Sequence, residues 1–122
     1  MAEFKALFID DEEELVSTIV ERLSYRGIEA AYVLNGQDGL KKMQEEPYDV
    51  VVLDLKLPGM SGLEVLRTIS KNHPKVPVLL ITGHGSVANQ EMEKPPEAFD
   101  YLAKPIDLEN LIQKMKEAIA SV

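Results

Sequence analysis

Five polar side chains in this sequence fall where short apolar runs end. Asp10 and Asp11 follow Ala6-Leu7-Phe8-Ile9, and Asp54 follows Val50-Val51-Val52-Leu53. Thr82 follows Val78-Leu79-Leu80-Ile81, and Lys104 comes just after Phe99-Asp100-Tyr101-Leu102. If those runs are neighbouring strands, carboxylates, a hydroxyl and an ammonium converge on one sheet edge. Crowded carboxylates repel one another, which raises their pKa values unless a cation joins them. A hard divalent ion with oxygen ligands resolves the conflict, magnesium (or manganese) in preference to calcium. Lys104 adds a point charge suited to a phosphoryl oxygen, and Thr82 a hydroxyl donor. Each residue alone has an ordinary explanation. Asp10 and Asp11, with Glu12, Glu13 and Glu14, could complement a helix N-terminus. Asp54 could be a turn residue, Thr82 before Gly83 a strand end, and Lys104 before Pro105 a solvated loop lysine. Their joint arrival at successive strand ends is what favours chemistry.

The elements that must position them alternate along the chain. Ala31-Tyr32-Val33-Leu34 supplies one further apolar run, and the first, third and fourth runs are continuously apolar, as strands covered on both faces are. Between the runs lie helical stripes: Leu15, Val16, Ile19, Val20 and Leu23, then Leu63, Leu66 and Ile69 after a Ser61 cap. Leu108, Leu111, Ile112, Met115 and Ile119 follow a natural Asp107 N-cap. Gly36 to Glu46 reads as a weaker helix, because Gly39 costs about 1 kcal/mol relative to alanine. Strict alternation implies an α/β, doubly wound parallel sheet with five strands. Such sheets bind ligands at the carboxyl ends of their strands, near the switch in strand order.

Composition narrows the function classes. The 122 residues are enough for one domain with its own core, with no linker or repeat dividing them, and 45% are hydrophobic. Cysteine is absent, which removes disulfides, thiolate metal sites and a thiol nucleophile. Thirteen basic against twenty-one acidic side chains give a net charge of −8, which weighs against direct nucleic-acid binding. The N-terminus is not a signal peptide, and no apolar run approaches the roughly 20 residues that span a bilayer. A cytoplasmic location is expected.

The segments LFIDDEEEL, VVLDLKLPGMSGLEVL, VLLITGHGS and FDYLAKPID resemble the signatures of response-regulator receiver domains, and the match runs from Phe4 to about Ala120. The ITGHG stretch is similar to receivers of the nitrogen-regulation and symbiotic-fixation type. The resemblance implies a flavodoxin-like receiver fold over residues 1–122, with strand order 2-1-3-4-5. It makes Asp54 the phosphoacceptor. Asp11 and Asp54 would ligate magnesium directly, Asp10 through a coordinated water, and the Lys56 backbone carbonyl would complete the protein ligands. Lys104 would pair with the acyl phosphate and Thr82 would reach it in the active state. Tyr101 matches the switch aromatic, and the Lys104–Pro105 peptide is expected to be cis. The implied partners are a sensor histidine kinase or phosphotransfer protein, an output domain or downstream protein, and a second copy in a phosphorylation-dependent dimer.

Two departures from the family pattern stand out. Ser86–Glu97, SVANQEMEKPPE, lies where receivers usually carry an amphipathic helix, yet only Val87, Ala88 and Met92 form an apolar stripe. Pro95 and Pro96 must end any helix there by about Glu93 or Lys94, so a shortened or irregular helix is expected. The second concerns Lys56 and His84, at positions that tune phosphoryl lifetime in the family. Lys56 also argues against a metal-dependent phosphohydrolase, whose second acid usually stands two residues after the nucleophilic aspartate. A receiver that is never phosphorylated typically lacks one of the acids or the lysine, and this chain keeps them all. A flavodoxin-like cofactor binder needs a Ser/Thr/Gly-rich loop where this chain has DDEEE.

Overall fold

The computed structural model describes residues 3–83 and 94–122. Along the chain run β1 (Lys5–Ile9), α1 (Glu13–Ser24), β2 (Glu29–Val33), α2 (Gly36–Glu45) and β3 (Val50–Asp54). They continue as α3 (Gly62–Asn72), β4 (Val78–Thr82), β5 (Asp100–Ala103) and α4 (Leu108–Ala120). The strands form one parallel sheet in the order β2-β1-β3-β4-β5, the order the resemblance implies. The reversal between β1 and β3 is the switch point of a doubly wound sheet. Among the described residues, no helix is long and apolar enough to cross a membrane. The shortened helix expected within Ser86–Glu97 falls largely outside the described residues.

Alternation along the central strands divides the interior into two cores. Ala6, Phe8, Val50, Val52, Leu79 and Ile81 face α1 and α4, meeting Val16, Leu23, Leu111 and Met115. Leu7, Ile9, Val51, Leu53, Val78 and Leu80 face α2 and α3, meeting Met43, Val65, Leu66 and Ile69. β3 and β4 are buried along their whole length, whereas the edge strands β2 and β5 are largely half-buried. The continuously apolar runs are therefore the central strands, as their composition requires.

Three helices begin with side-chain caps. Asn35, Ser61 and Asp107 accept the backbone N–H groups of Asp38, Glu64 and Asn110 at 2.8, 3.2 and 3.0 Å. The α3 stripe differs from its sequence reading: Leu63 is exposed, and Val65 joins Leu66 and Ile69 in the core. With Gly62 at the first helical position, the inward face is set by where α3 meets the β3 loop, and that face begins at Val65. Gly39 also has a positive purpose, because a Cβ there would collide with the Ile9 side chain. The glycine that weakens α2 as a helix lets it lie close against β1.

Candidate functional site

The register brings the strand ends level. Ile9 pairs with Leu53, Asp54 with Ile81, and Thr82 with Ala103. The alternation that sends Ile9 and Leu53 towards α2 and α3 sends Asp10 and Asp54, one residue further, to the other face. Asp10, Asp54 and Thr82 are the buried polar or charged residues among those described. Lys104 follows β5, and its amide donates to the Thr82 carbonyl at 2.9 Å, which anchors its loop to β4. The Lys104–Pro105 peptide is cis.

Both buried carboxylates are oriented alike. The Asp10 Oδ1 accepts the Glu12 amide at 2.9 Å, and the Asp54 Oδ1 accepts the Lys56 amide at 2.9 Å. These are Asx turns, in which a side chain ties down the backbone two residues on. Each leaves Oδ2 pointing at the Lys104 ammonium, 3.4 Å from Asp10 and 3.2 Å from Asp54. Glu12 completes the set through an ion pair and hydrogen bond to the same ammonium. Burial pulls the Lys104 pKa down, but the Glu12 hydrogen bond and the Asp10 and Asp54 charges outweigh it and raise it. Burial pushes the Asp10 pKa up, with the Asp54 charge adding to it, against the opposing pull of the Glu12 amide and Lys104.

One carboxylate oxygen from each of Asp10, Glu12 and Asp54 lies within 4.8 Å of the others. This oxygen-only set, under-neutralised by a single lysine, fits a hard divalent cation. Asp11 is exposed and stands outside the cluster, on the outer corner of the turn that Asp10 makes with the Glu12 amide. Thr82 Oγ1 is buried and finds no hydrogen-bond partner among the described residues. An unsatisfied buried hydroxyl costs about 1–3 kcal/mol, so its place at the site calls for an explanation. Lys56 is exposed, and Tyr101 is half-buried against the α2/α3 core. His84 lies outside the described residues.

The structure thus gathers Asp10, Asp54, Thr82 and Lys104 at one sheet edge. Sequence reasoning missed Glu12, because an acid in the first turn of a helix already has a sufficient explanation. The available signal was its place immediately before α1, where serine, threonine, aspartate or asparagine would serve as a cap and glutamate does not.

Residues 6–116 match the model of the response regulator receiver domain. The uncharacterised transcriptional regulatory protein YkoG of Bacillus subtilis is 35% identical over 113 residues, covering 93% of this chain and 50% of that protein. A putative NtrX-like response regulator of Rickettsia typhi is 34% identical over 120 residues, covering 97% of this chain and 25% of that one. This chain therefore spans half or less of the length of these relatives. A receiver domain from Clostridium thermocellum, solved by crystallography, superposes with a TM-score of 0.86 at 34% identity, covering 99% of this chain and 96% of that one. Sheet order, the acid–lysine cluster at the strand ends and these matches agree: the chain belongs to the response regulator receiver domain family.

Proposed function

We propose that Asp54 accepts a phosphoryl group from a phosphohistidine, borne by a sensor histidine kinase or a phosphotransfer protein. The reaction depends on magnesium or manganese and switches the domain between two packings. The observation that carries this reading is the buried Asp54 carboxylate with its Oδ2 3.2 Å from the Lys104 ammonium. A carboxylate oxygen of Asp54 attacks phosphorus in line. The O–P bond forms as the donor's P–N bond breaks, and the electron pair returns to the donor imidazole. Lys104 offsets the charge on the transferring oxygens. Asp54, the Lys56 carbonyl and Asp11, turned inward from its exposed position, would hold the metal directly and Asp10 through a coordinated water; the metal supplies further charge neutralisation on the phosphoryl oxygens when bound. The Thr82 hydroxyl, buried and without a partner among the described residues, supports its role as a donor to the phosphoryl group. Tyr101 then turns into the space that Thr82 leaves, a population shift biased by phosphate binding one packing better.

Lys56, beside the acceptor, obstructs the water that would hydrolyse the acyl phosphate. Replacing it by asparagine is expected to speed self-dephosphorylation, and an unchanged decay rate would remove Lys56 from this role. His84 is assigned to lifetime tuning by its spacing from Thr82 alone. The domain acts as a switch in the cytoplasm and does not turn over a separate substrate, since Lys56 stands where a phosphohydrolase carries its acid/base. Its control passes to an output domain or downstream protein, for which transcriptional regulators among the relatives are the precedent, and a dimer forms on phosphorylation. The deciding experiment is intact-protein mass measurement after incubation with acetyl phosphate and magnesium. Wild type is expected to gain one phosphate and Asp54→Asn none, whereas equal uptake by the two would overturn the assignment.

A further inference from the structure

Glu12 breaks a pattern that the rest of the molecule keeps. α2, α3 and α4 each begin with a side chain that caps the N-terminal backbone, while Glu12, in the same position on α1, makes no such bond. Its carboxylate goes to Lys104 instead. Glu13 and Glu14 in the first turn already complement the helix dipole, so α1 does not need the Glu12 carboxylate, and a local rule broken at one position marks a place shaped by function.

The other two partners of Lys104 cannot leave. Asp10 and Asp54 are only 7% and 6% exposed at their side chains, and each is pinned by a backbone amide. Glu12 is 56% exposed, so its carboxylate can move into water without uncovering core or uncapping α1. Lys104 itself is 14% exposed, so an ammonium released by Glu12 stays at the site.

We infer that Glu12 is a positioning residue for Lys104: in the resting domain its carboxylate holds the place on the ammonium that a phosphoryl oxygen takes, and it departs when Asp54 is modified. Glu12 is thus a built-in placeholder. Its negative charge at the rim also opposes an incoming anionic donor. Its departure frees the start of α1 from the loop after β5, which couples the chemistry to α1. This inference rests on Asp54 being the acceptor.

The test compares wild type, Glu12→Gln and the neighbouring Glu13→Gln, all at saturating magnesium. Lys104 side-chain NMR signals are recorded in the resting protein and with magnesium and beryllofluoride, a phosphoryl mimic. Glu12→Gln is expected to shift the resting Lys104 signals and to coincide with wild type in the beryllofluoride state. Glu13→Gln is expected to match wild type in both states. The phosphorylation rate with acetyl phosphate is expected to rise in Glu12→Gln by up to about fivefold, the range of one partly exposed ion pair. Resting Lys104 signals equal to those of wild type, signals that stay apart in both states, or an unchanged or slower rate would each overturn the placeholder. Failure of wild type to take up phosphate would instead overturn the assignment of Asp54, so the two failures are distinct.

Discussion

The fold holds Asp10 at a cost. It is buried beside Asp54, its pKa is raised by that burial, and one lysine serves both carboxylates and Glu12. Neutralising it in place should therefore relieve the metal-free domain. Asp10→Asn is expected to raise the stability of the metal-free domain, because the amide carries no charge to be desolvated beside Asp54. The same change should abolish most of the thermal stabilisation that magnesium confers on wild type, which mass action puts at about 2.7 kcal/mol at one hundred times Kd. Thermal melts with magnesium and with chelator check both parts, and a destabilised Asp10→Asn without metal would contradict the repulsion argument. At this scale the sequence was readable wherever a polar residue ended an apolar run. It was unreadable at Glu12, because spacing along the chain does not say which way a turn points its side chains.

The packing of α2 against β1 turns on Gly39. Gly39→Ala improves helix propensity yet thrusts a methyl group into Ile9, so the net effect is expected to be a loss of about 1–3 kcal/mol. Pairing it with Ile9→Val should recover part of that loss, and denaturant unfolding of the singles and the double measures the coupling. A second tie fastens the far end of the same helix. The Tyr48 hydroxyl donates to Glu46 at 2.8 Å, Lys5 reaches Glu46 at 3.1 Å, and its ammonium lies 4.9 Å from the centre of the Tyr48 ring. Burial raises the Tyr48 pKa, with the Glu46 hydrogen bond second. The folded protein therefore keeps the phenol proton where an unfolded tyrosine, near pH 10, gives it up. Stability is full below that pH and falls as pH rises above it. Tyr48→Phe should lose about 1 kcal/mol at neutral pH and show a shallower alkaline decline. Neither glycine packing nor this tie is visible in a hydrophobic pattern, since both depend on which element lies opposite.

At the scale of the molecule, the sheet is a partition between two cores that share no side chain among the described residues. Leu66→Ala, in the α2/α3 core, and Leu111→Ala, in the α1/α4 core, are each expected to cost about 2–5 kcal/mol. Their effects should add to within about 0.5 kcal/mol, because the two side chains lie in separate cores on opposite faces of the sheet. Strong non-additivity in denaturant melts would show that the partition transmits strain. This architecture was largely legible beforehand, since continuously apolar strands and helical stripes are imposed by burial on both faces. The exposed Leu63 was not, because α3 is oriented by its approach to the loop after β3. That approach has a practical consequence. A Cβ on Gly62 would lie 2.6 Å from the Leu55 backbone and 2.8 Å from the Asp54 carbonyl oxygen, and the Gly62 amide donates to Leu55 at 3.3 Å. Glycine amides resonate apart from most others in a nitrogen–proton correlation spectrum. The Gly62 signal is therefore a native reporter, one hydrogen bond from the loop that follows Asp54, able to follow acceptor occupancy without any added label chemistry.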